Sequence, residues 1–458
     1  MSVVRRSLTV VAVAAAALAT LTPNASANGA APAVGKPRVA PAAPAIARGL
    51  IVKTTTSTPS KSLLKSADSA IGSKADAIKT KSLTGKISTI AFDQTVTESA
   101  ARHAAAQVAK RSDVEWAVPD TLRHATATAP VVPNDPHFSG QRDVWDSTVT
   151  SPKGGYSVKA PVLWQKTKGS PDVVVAVVDS GILKDHPDIK NQLVDGYDMI
   201  GADQSNSGGL NSFETAGAGD GRDADPSDPG DWTTTNECGA QQPAEASSWH
   251  GTFVAGMIAA QANNNLGISG IAPDVKVQPV RVLGHCGGYD SDVIAGITWA
   301  SGGHVDGVPD NPTPAKVVNL SLGSLAANAN ERDDACTAYS AAAAAGAGHS
   351  VFIAAAGNDG GNADLDIPAS CSGYLSVGST SLRGFSSWYS NIGSSVDISA
   401  PGGDTLVEGS TDSVLSLDNA SPTSPAANGY GYARYEGTSM STAEVSAGAA
   451  RLASLGLD

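Results

Sequence analysis

The chain has 458 residues, of which 41% are apolar, 16% charged and only 5% aromatic, and it contains 48 glycines. This length allows one large domain with smaller accessory segments, and the composition excludes a disordered or fibrous protein. The formal net charge of −13 argues against nucleic acid or an anionic membrane surface as a binding partner.

The first 27 residues have the pattern of a secretory signal peptide. Arg5 and Arg6 form a basic region, Leu8 to Leu21 is an apolar run, and Ala25-Ser26-Ala27 is a small-residue cleavage site. A membrane anchor is the alternative, but the run is shorter than the about 20 residues that cross a bilayer. We therefore predict cleavage after Ala27, secretion to the extracellular space and no membrane attachment afterwards.

Residues 28–48 are rich in Ala, Pro and Val and predict an extended linker. The next segment, 49–123, predicts a small α+β module, and 124–136 an open, Pro-bearing connector of the kind that proteases cut. The predicted elements of the module are strands at 49–53, 86–92 and 114–118 and a helix at 98–110 capped by Thr97. Residues 28–124 carry 14 Lys and Arg against 7 Asp and Glu, and residues 125–458 carry 15 against 37. This opposite charge suggests that the two parts dock on each other, and random variation in surface composition is the alternative.

Strands alternate with helices from residue 137 onward. The predicted strands are 173–178, 275–283, 316–320, 350–356 and 374–378, and the predicted helices are 250–260, 290–300 and 331–346. Such alternation predicts a parallel α/β sheet covered by helices on both faces. Functional sites in these sheets gather at the carboxyl ends of the strands, and both Asp179 and Asn358 follow a predicted strand end.

The four cysteines, Cys238, Cys286, Cys336 and Cys371, lack the CxxC spacing that marks zinc sites. Secretion exposes them to an oxidising compartment, where disulfides are stable. The sequence alone allows three pairings into two disulfides, and buried free thiols are the alternative.

Three motifs near the predicted strand and helix ends contain the residue types of nucleophilic hydrolysis. Ser439 lies in a small-residue turn before the predicted helix 443–455, where a helix N-terminus favours negative charge. A serine nucleophile needs a base and a group that orients this base, and His250 and Asp179 supply these types. Each residue alone is compatible with a turn, a helix cap or a structural role, but the order Asp, His, Ser is that of subtilisin.

Four blocks resemble the secreted subtilisin-family (subtilase) serine proteases, across about residues 135–458. They are DSGI at 179–182, HGTFVAG at 250–256, AAGN at 355–358 and GTSMST at 437–442, with weaker matches at 319–323 and 398–402. The resemblance implies a subtilisin-like parallel sheet with helices on both faces, preceded by a small α+β propeptide domain. An α/β-hydrolase is disfavoured because GxSxG is absent around Ser439 and the triad order differs.

The resemblance also implies a role for each matched residue. Ser439 would attack the peptide carbonyl, His250 would transfer the proton, and Asp179 would hold the imidazole. The side-chain amide of Asn358 would stabilise the oxyanion. No catalytic cofactor is implied.

Further sites follow from the same resemblance. The segment Ser321-Leu322-Gly323 would form one wall of the substrate cleft and pair with the peptide backbone. The implied disulfides are Cys238–Cys286 and Cys336–Cys371. Asp188, Asn264 and Asn265 match the surroundings of a structural calcium site.

An acidic run at residues 220–231 alternates carboxylates through a Gly- and Pro-rich loop. Oxygen-rich loops of this kind suit Ca²⁺, and a solvated acidic loop is the alternative. The run lies in the long segment between Asp179 and His250. Its function stays open at the level of the sequence.

Segment 49–123 resembles the inhibitor-like propeptide of the family, which assists folding and then blocks the cleft. Self-cleavage would fall between Asp120 and Asn134, and protein or peptide substrates are the other expected partners. The peptidase domain, 137–458, is expected to be truncated at its C-terminus because relatives continue through further helices. Ala443 and Glu444 also replace the family's usual Pro and His.

The sequence therefore predicts a secreted serine endopeptidase that is made as a self-processing zymogen. The alternative is a catalytically inactive or truncated subtilase scaffold with a binding role. Retention of all four catalytic residue types favours the enzyme.

Overall fold

The computed structural model describes residues 46–56, 61–121, 132–145, 156–201, 221–346 and 348–457. The chain divides into two compact units at residues 126 and 127. The predicted signal peptide, most of the 28–48 linker and positions 124–131 of the predicted connector lie outside the described residues. No helix in the described residues has the length and apolar character needed to cross a membrane.

The first unit is a small α+β module. Its elements are β1 (Ile46–Thr54), α1 (Lys61–Ile71), β2 (Ala77–Thr84), β3 (Ile87–Thr97), α2 (Glu98–Val108) and β4 (Val114–Thr121). Within residues 46–121, excluding 57–60, four strands form an antiparallel sheet in the order β2-β3-β1-β4. Helix residues Leu63 and Ala101 share its core with strand residues Leu50 and Ile90.

The sequence located α2 and its cap but missed α1 and β2. Thr97 Oγ1 accepts a hydrogen bond from Ala100 N, as expected for an N-cap. In α1 the buried residues are Leu63, Ala67 and Ile71, four residues apart and separated by Ser and Lys, so that the stretch looked polar. Strand β1 also begins at Ile46, inside the predicted linker.

The second unit contains the long elements predicted for an α/β fold. Its elements are α3 (Ala160–Leu163), β5 (Val174–Asp179), β6 (Tyr197–Asp198), α4 (His250–Ala259), β7 (Lys276–Arg281), α5 (Asp290–Ala300), β8 (Val317–Leu320), β9 (Ser324–Leu325), α6 (Ala329–Gly346), β10 (Val351–Ala355), β11 (Asp366–Ile367), β12 (Tyr374–Thr380), β13 (Ile398–Pro401), α7 (Thr405–Glu408), β14 (Val414–Asn419), β15 (Tyr430–Tyr435) and α8 (Thr438–Ala453).

A parallel sheet of seven strands, counted over the described residues, organises this unit. Its strand order is β13-β12-β10-β8-β5-β7-β6. Along β5, Val175 and Val177 face a core shared with α4 and α8, and Val174, Ala176 and Val178 face one shared with α5 and α6. Burial on both faces explains the uninterrupted apolar run in this strand, and the predicted fold class is confirmed.

Helix α8 differs from its prediction in a way that matters for the site. It begins at Thr438 rather than near residue 443, so Ser439 is the second residue of the helix and does not precede it. The small polar residues from 438 to 442 are buried, which explains why they resembled a turn in the sequence.

Two disulfides occur in the described residues, Cys238–Cys286 and Cys336–Cys371. This is the pairing that the family resemblance implied. The described residues contain no free cysteine, so the alternative of buried thiols is wrong.

Candidate active site

The carboxyl edge of the large sheet brings together the four residues expected to be catalytic. Asp179 is the last residue of β5, and Asn358 follows the end of β10. His250 is the first residue of α4 and Ser439 the second residue of α8. Both helices pack on the same face of the sheet, so their N-termini meet at this edge.

Glycines allow α4 to approach the turn after β5. A Cβ at Gly251 would lie 2.3 Å from the Gly181 carbonyl oxygen, and Gly181 has a φ of +105°. Side chains rarely tolerate either condition. The two glycines, in the motifs DSG and HGT, therefore let the His250 ring reach Asp179.

Asp179 and His250 form a buried ion-pair arrangement. Asp179 Oδ1 accepts hydrogen bonds from His250 Nδ1 and from Ser180 N, both at 2.8 Å. The Asp179 side chain is fully buried, whereas 23% of the His250 side chain is exposed. With Nδ1 as the donor, the neutral imidazole presents Nε2 as a proton acceptor.

The electrostatic surroundings favour a protonated His250. Burial alone lowers the pKa of His250, but the charge and hydrogen bond of Asp179 and the charges of Asp231 and Asp228 outweigh it and raise the pKa. A site of this kind stabilises the imidazolium that forms when a histidine takes a proton from a nucleophile.

A second layer of hydrogen bonds supports this pair and was missed in the sequence. Buried Ser180 accepts from Gly251 N at 3.0 Å and donates to Asp228 Oδ2 at 2.8 Å. Asp231 accepts from the backbone and hydroxyl groups of Ser248. The acidic run thus contributes two carboxylates to the support of the site, a role that its composition alone did not reveal.

Ser439 is held against the segment that follows β8. Its Oγ donates to the Ser321 carbonyl oxygen at 3.0 Å, and Ser321 Oγ donates to the Ser439 carbonyl oxygen at 2.9 Å. Asn319 Nδ2 donates to Ser321 Oγ and Asn319 Oδ1 accepts from Ser446 Oγ, which extends the link along α8. Within the described chain, no hydrogen bond joins Ser439 to His250, so the hydroxyl must rotate to meet the imidazole.

Asn358 is oriented by the first residue of α8. Its Oδ1 accepts from Thr438 N at 2.8 Å and from Thr438 Oγ1 at 2.9 Å, which satisfies one of the free N–H groups at this helix end. The exposed side chain has no other hydrogen bond to a described residue, so Nδ2 is available to an anionic oxygen beside Ser439.

The predicted cleft wall follows β8 directly. Ser321 is buried, Leu322 half-buried and Gly323 exposed. The chain then forms β9, which pairs with β11 in an antiparallel bridge between Leu325 and Asp366. The wall is therefore anchored at both ends, by Ser439 and by β11.

The residues expected to bind calcium are arranged as a hydrogen-bonded cluster. Asp188 Oδ1 accepts from Asn264 Nδ2, and Oδ2 accepts from Ile268 N and, at 3.3 Å, from the Tyr432 hydroxyl. Asn264 thus presents its amide nitrogen to Asp188, and Asn265 N donates to an Asn134 side chain instead. Both carboxylate oxygens already have donors, and this arrangement does not fit a calcium ion.

The carboxylates of the acidic run are also bonded to donors within the protein, over its described part, residues 221–231. Asp225 pairs with Lys184 and accepts from Ser227, while Asp228 and Asp231 accept from serines. No group of three or more His, Cys, Asp or Glu side chains suited to a metal occurs in the described residues. The sequence did not decide whether a cation or solvent compensates the charge of these carboxylates. In the structure, hydrogen-bond donors and Lys184 do so.

Glu444, which replaces the His usual at this position in the family, is buried against a second acid. Glu444 and Asp143 are 3% exposed each, and none of their four carboxyl oxygens has a hydrogen-bond donor among the described residues. Burial, followed by the charge of Asp143, raises the pKa of Glu444 well above its usual range, and burial raises the pKa of Asp143 to about 7. The two acids therefore hold at least one proton between them near neutral pH.

Together, the parallel sheet and the Asp, His, Asn and Ser side chains at its carboxyl edge define a subtilisin-like α/β protein. Residues 170–456 match the subtilase family, and the chain belongs to that family.

Two relatives have similar names. The chain is 40% identical to an "Extracellular protease" of Xanthomonas campestris pathovar campestris over 74% of its own length and 52% of the relative's. It is 39% identical to an "Extracellular basic protease" of Dichelobacter nodosus, over 75% and 51% of the two lengths. The chain thus spans about half the length of these curated relatives.

A solved structure is similar as well. The "Proteases from Pseudoalteromonas arctica PAMC 21717" superpose with a TM-score of 0.60 and 38% identity, covering 70% of this chain and 87% of that one. This agreement supports the subtilisin-like fold of the second unit.

Proposed function

We propose that this protein is a secreted serine endopeptidase that hydrolyses peptide bonds with Asp179, His250 and Ser439. The observation that carries the proposal is the hydrogen bond from His250 Nδ1 to the buried Asp179 carboxylate, at the sheet edge where Ser439 begins α8. His250 takes the proton of Ser439 through Nε2 and returns it to the leaving amine. Asp179 stabilises the imidazolium between these steps.

Substrate binding prepares the nucleophile in this proposal. A peptide that adds a strand along Ser321-Leu322-Gly323 brings a backbone N–H to the Ser321 carbonyl. This carbonyl is the present acceptor of the Ser439 hydroxyl. Its occupation by the substrate frees the hydroxyl to turn towards His250.

Asn358 and the helix N-terminus stabilise the tetrahedral intermediate. Asn358 Nδ2 and the backbone N–H of Ser439 donate to the oxyanion, and Thr438 keeps the amide in the required orientation through Oδ1. A preorganised donor of this kind contributes roughly 10²- to 10³-fold to kcat. The reaction uses no catalytic cofactor.

The zymogen part of the proposal concerns residues 49–123. They act as propeptide, folding assistant and inhibitor, and self-cleavage falls between Asp120 and Asn134. Supporting observations are the separate compact α+β unit, its positive net charge against an acidic peptidase domain at 137–458, and the N-terminal signal pattern. The extracellular relatives also agree with secretion.

The proposal is tested by casein hydrolysis with the full chain and Ser439→Ala. We expect kcat to fall by about 10⁶-fold, with N-terminal cleavage between Asp120 and Asn134 only in the parent. Ser441→Ala is the matched control, because it removes another buried hydroxyl of α8, bonded to the Ala400 carbonyl, and should stay active. Undiminished activity in Ser439→Ala, or a folded parent that is inactive and unprocessed, would contradict the proposal; the second result would favour the binding scaffold.

The hydrogen-bonded cluster at Asp188, Asn264 and Asn265 argues against the calcium site that the resemblance implied, and a chelator tests this. Because each carboxylate oxygen of Asp188 already accepts a hydrogen bond, we expect a chelator to leave the thermal midpoint unchanged. A drop in the midpoint that added calcium reverses would show that these side chains rearrange around an ion.

A further inference from the structure

Asp366 is a buried carboxyl group next to the proposed cleft, and the residues discussed so far give it no role. It is the first residue of β11 and is 1% exposed. Its Oδ1 is buried without a hydrogen-bond partner among the described residues, and its Oδ2 has only Asn391 Nδ2 at 3.4 Å. A buried, poorly solvated carboxyl group of this kind is costly unless a ligand satisfies it.

Two glycines place this carboxyl group between the segments that flank the nucleophile. A Cβ at Gly323 would lie 2.7 Å from Asp366 Oδ1, and a Cβ at Gly357 would lie 2.1 Å from Oδ2. Gly323 ends the proposed cleft wall, and Gly357 precedes Asn358. The carboxyl group therefore packs against the backbone of both the wall and the oxyanion segment, with its oxygens where side chains at the two glycines would otherwise lie.

In the proposed mode of substrate binding, the position of Ser439 determines what would lie beside this carboxyl group. Ser439 is bonded to the Ser321 carbonyl on one side, and Asn358 is bonded to Thr438 on the other. A peptide carbonyl placed at Ser439 and Asn358 directs the side chain of its own residue between the two segments. This is the residue on the acyl side of the scissile bond, called P1.

Asp366 has no cationic neighbour in the described part of the chain. Asp359, exposed and adjacent to Asn358, has its Oδ2 3.3 Å from the same Asn391 Nδ2. In the described part of the chain, neither acid is within ion-pair distance of a Lys, Arg or His. Burial and the charge of Asp359 raise the pKa of Asp366 to about 8, against the hydrogen bond from Asn391. A cation beside Asp366 would supply the missing hydrogen-bond donor and would favour the ionised form of its carboxyl group.

We infer that Asp366, with Asp359 at the rim, makes this protein select peptides with Arg or Lys at P1. The inference rests on the proposed function and names its substrate class. A guanidinium or ammonium group would donate to the unpartnered Oδ1, in a charge-assisted hydrogen bond that an aliphatic side chain cannot form. Asp366 binds the substrate and takes no part in the proton transfers.

The test uses peptide p-nitroanilides that differ only at P1, with Arg, Lys, Leu or Ala. We expect kcat/KM for Arg and Lys to exceed that for Leu and Ala by about 10- to 100-fold. Asp366→Asn should remove this preference, because kcat/KM for the Arg and Lys substrates should fall to about the level of the Leu substrate in the same variant. Asp359→Asn, at an exposed position where misfolding is not expected, should reduce the preference partly.

Asp364→Asn is the matched control. It removes one negative charge two residues from Asp366, but its carboxylate accepts from Ser395 N and Ser394 Oγ and so does not face the cleft. Its P1 preference should equal that of the parent. Equal hydrolysis of all four substrates by the parent, a preference for Ala, or an unchanged preference in Asp366→Asn would overturn the inference.

A binding measurement separates this inference from the proposed function. Benzamidine, an aromatic amidinium, should raise the thermal midpoint of Ser439→Ala, and the effect should disappear in Ser439→Ala/Asp366→Asn. If the parent hydrolyses no substrate but benzamidine binding depends on Asp366, the proposed function is contradicted and cation binding at Asp366 is supported. If the parent hydrolyses all four substrates without preferring Arg or Lys at P1, the proposed function is supported and the inference is contradicted.

Discussion

Asp179 and the pair Asp143–Glu444 are two buried acidic regions of the same unit, and they differ in their hydrogen-bond donors. Asp179 Oδ1 accepts from a backbone N–H and from an imidazole N–H, although Oδ2 has no partner. The four oxygens of Asp143 and Glu444 have no donor among the described residues. At the strand end, N–H donors favour the ionised form of Asp179. Asp143 and Glu444 lack such donors, and a bound proton keeps part of this pair neutral.

The difference has a structural cause. Asp179 is the last residue of β5, so its side chain lies at the strand end, and the start of α4 supplies His250 beside it. Glu444 lies inside α8, where backbone N–H groups are already bonded within the helix. The carboxyl group of Asp179 is therefore suited to stabilise a cation as a carboxylate, whereas those of Asp143 and Glu444 are suited to retain a proton.

Among replacements of the buried acidic residues, that of Asp179 should have the largest effect. We expect Asp179→Asn to lower kcat by about 10⁴-fold, because an amide cannot stabilise the imidazolium and disfavours the required tautomer. The measurement is kcat and KM on a peptide substrate. Asp143→Asn should keep kcat within a few-fold of the parent, and an equal loss in both variants would remove the distinction between the two regions.

The acid pair should instead control the pH dependence of stability. The pKa of Asp143 is raised from 3.8 to about 7, so the folded state keeps a proton that the unfolded chain releases. The free energy of unfolding should therefore fall as the pH rises from about 4 to about 7, by on the order of 4 kcal/mol for this group. The raised pKa of Glu444 extends the fall to higher pH.

Urea unfolding of Asp143→Asn/Glu444→Gln at pH 5 and pH 8 checks this expectation. The variant should lose much of the difference between the two pH values, because neutral amides release no proton. Asp172→Asn, which removes a charge at an exposed position, serves as the control and should keep the parent's difference. A parent whose stability rises between pH 5 and pH 8 would contradict the assignment.

The smallest effect should come from the support of Asp179. Asp228→Asn keeps the size of the side chain but weakens the bond from Ser180, which in turn accepts from Gly251 N next to His250. We expect kcat to fall about 3- to 10-fold with little change in KM, which corresponds to about 0.7–1.4 kcal/mol, the usual net contribution of one hydrogen bond. The pH profile of kcat/KM should also move to lower pH, because the charge of Asp228 helps to raise the pKa of His250.

Much of the fold could be read from local patterns. The continuous valines before Asp179 identified a strand buried on both faces, whereas the close approach that the glycines of DSG and HGT permit was recognised only in the structure. Such features depend on backbone geometry that only certain residues permit. Helix α1 and strand β2 were missed because their buried residues are few and lie among Ser and Lys.

The sequence by itself determined the family, the fold class and the four residues expected at the site, since each lies in a motif whose residues are constrained by its neighbours. Only the tertiary structure decided what the acidic side chains face. Asp228 and Asp231 support His250, Asp143 meets Glu444 across about 300 residues of sequence, and Asp366 borders the cleft between two glycines. Burial and the supply of donors at a carboxylate come from distant segments, and no local pattern records them.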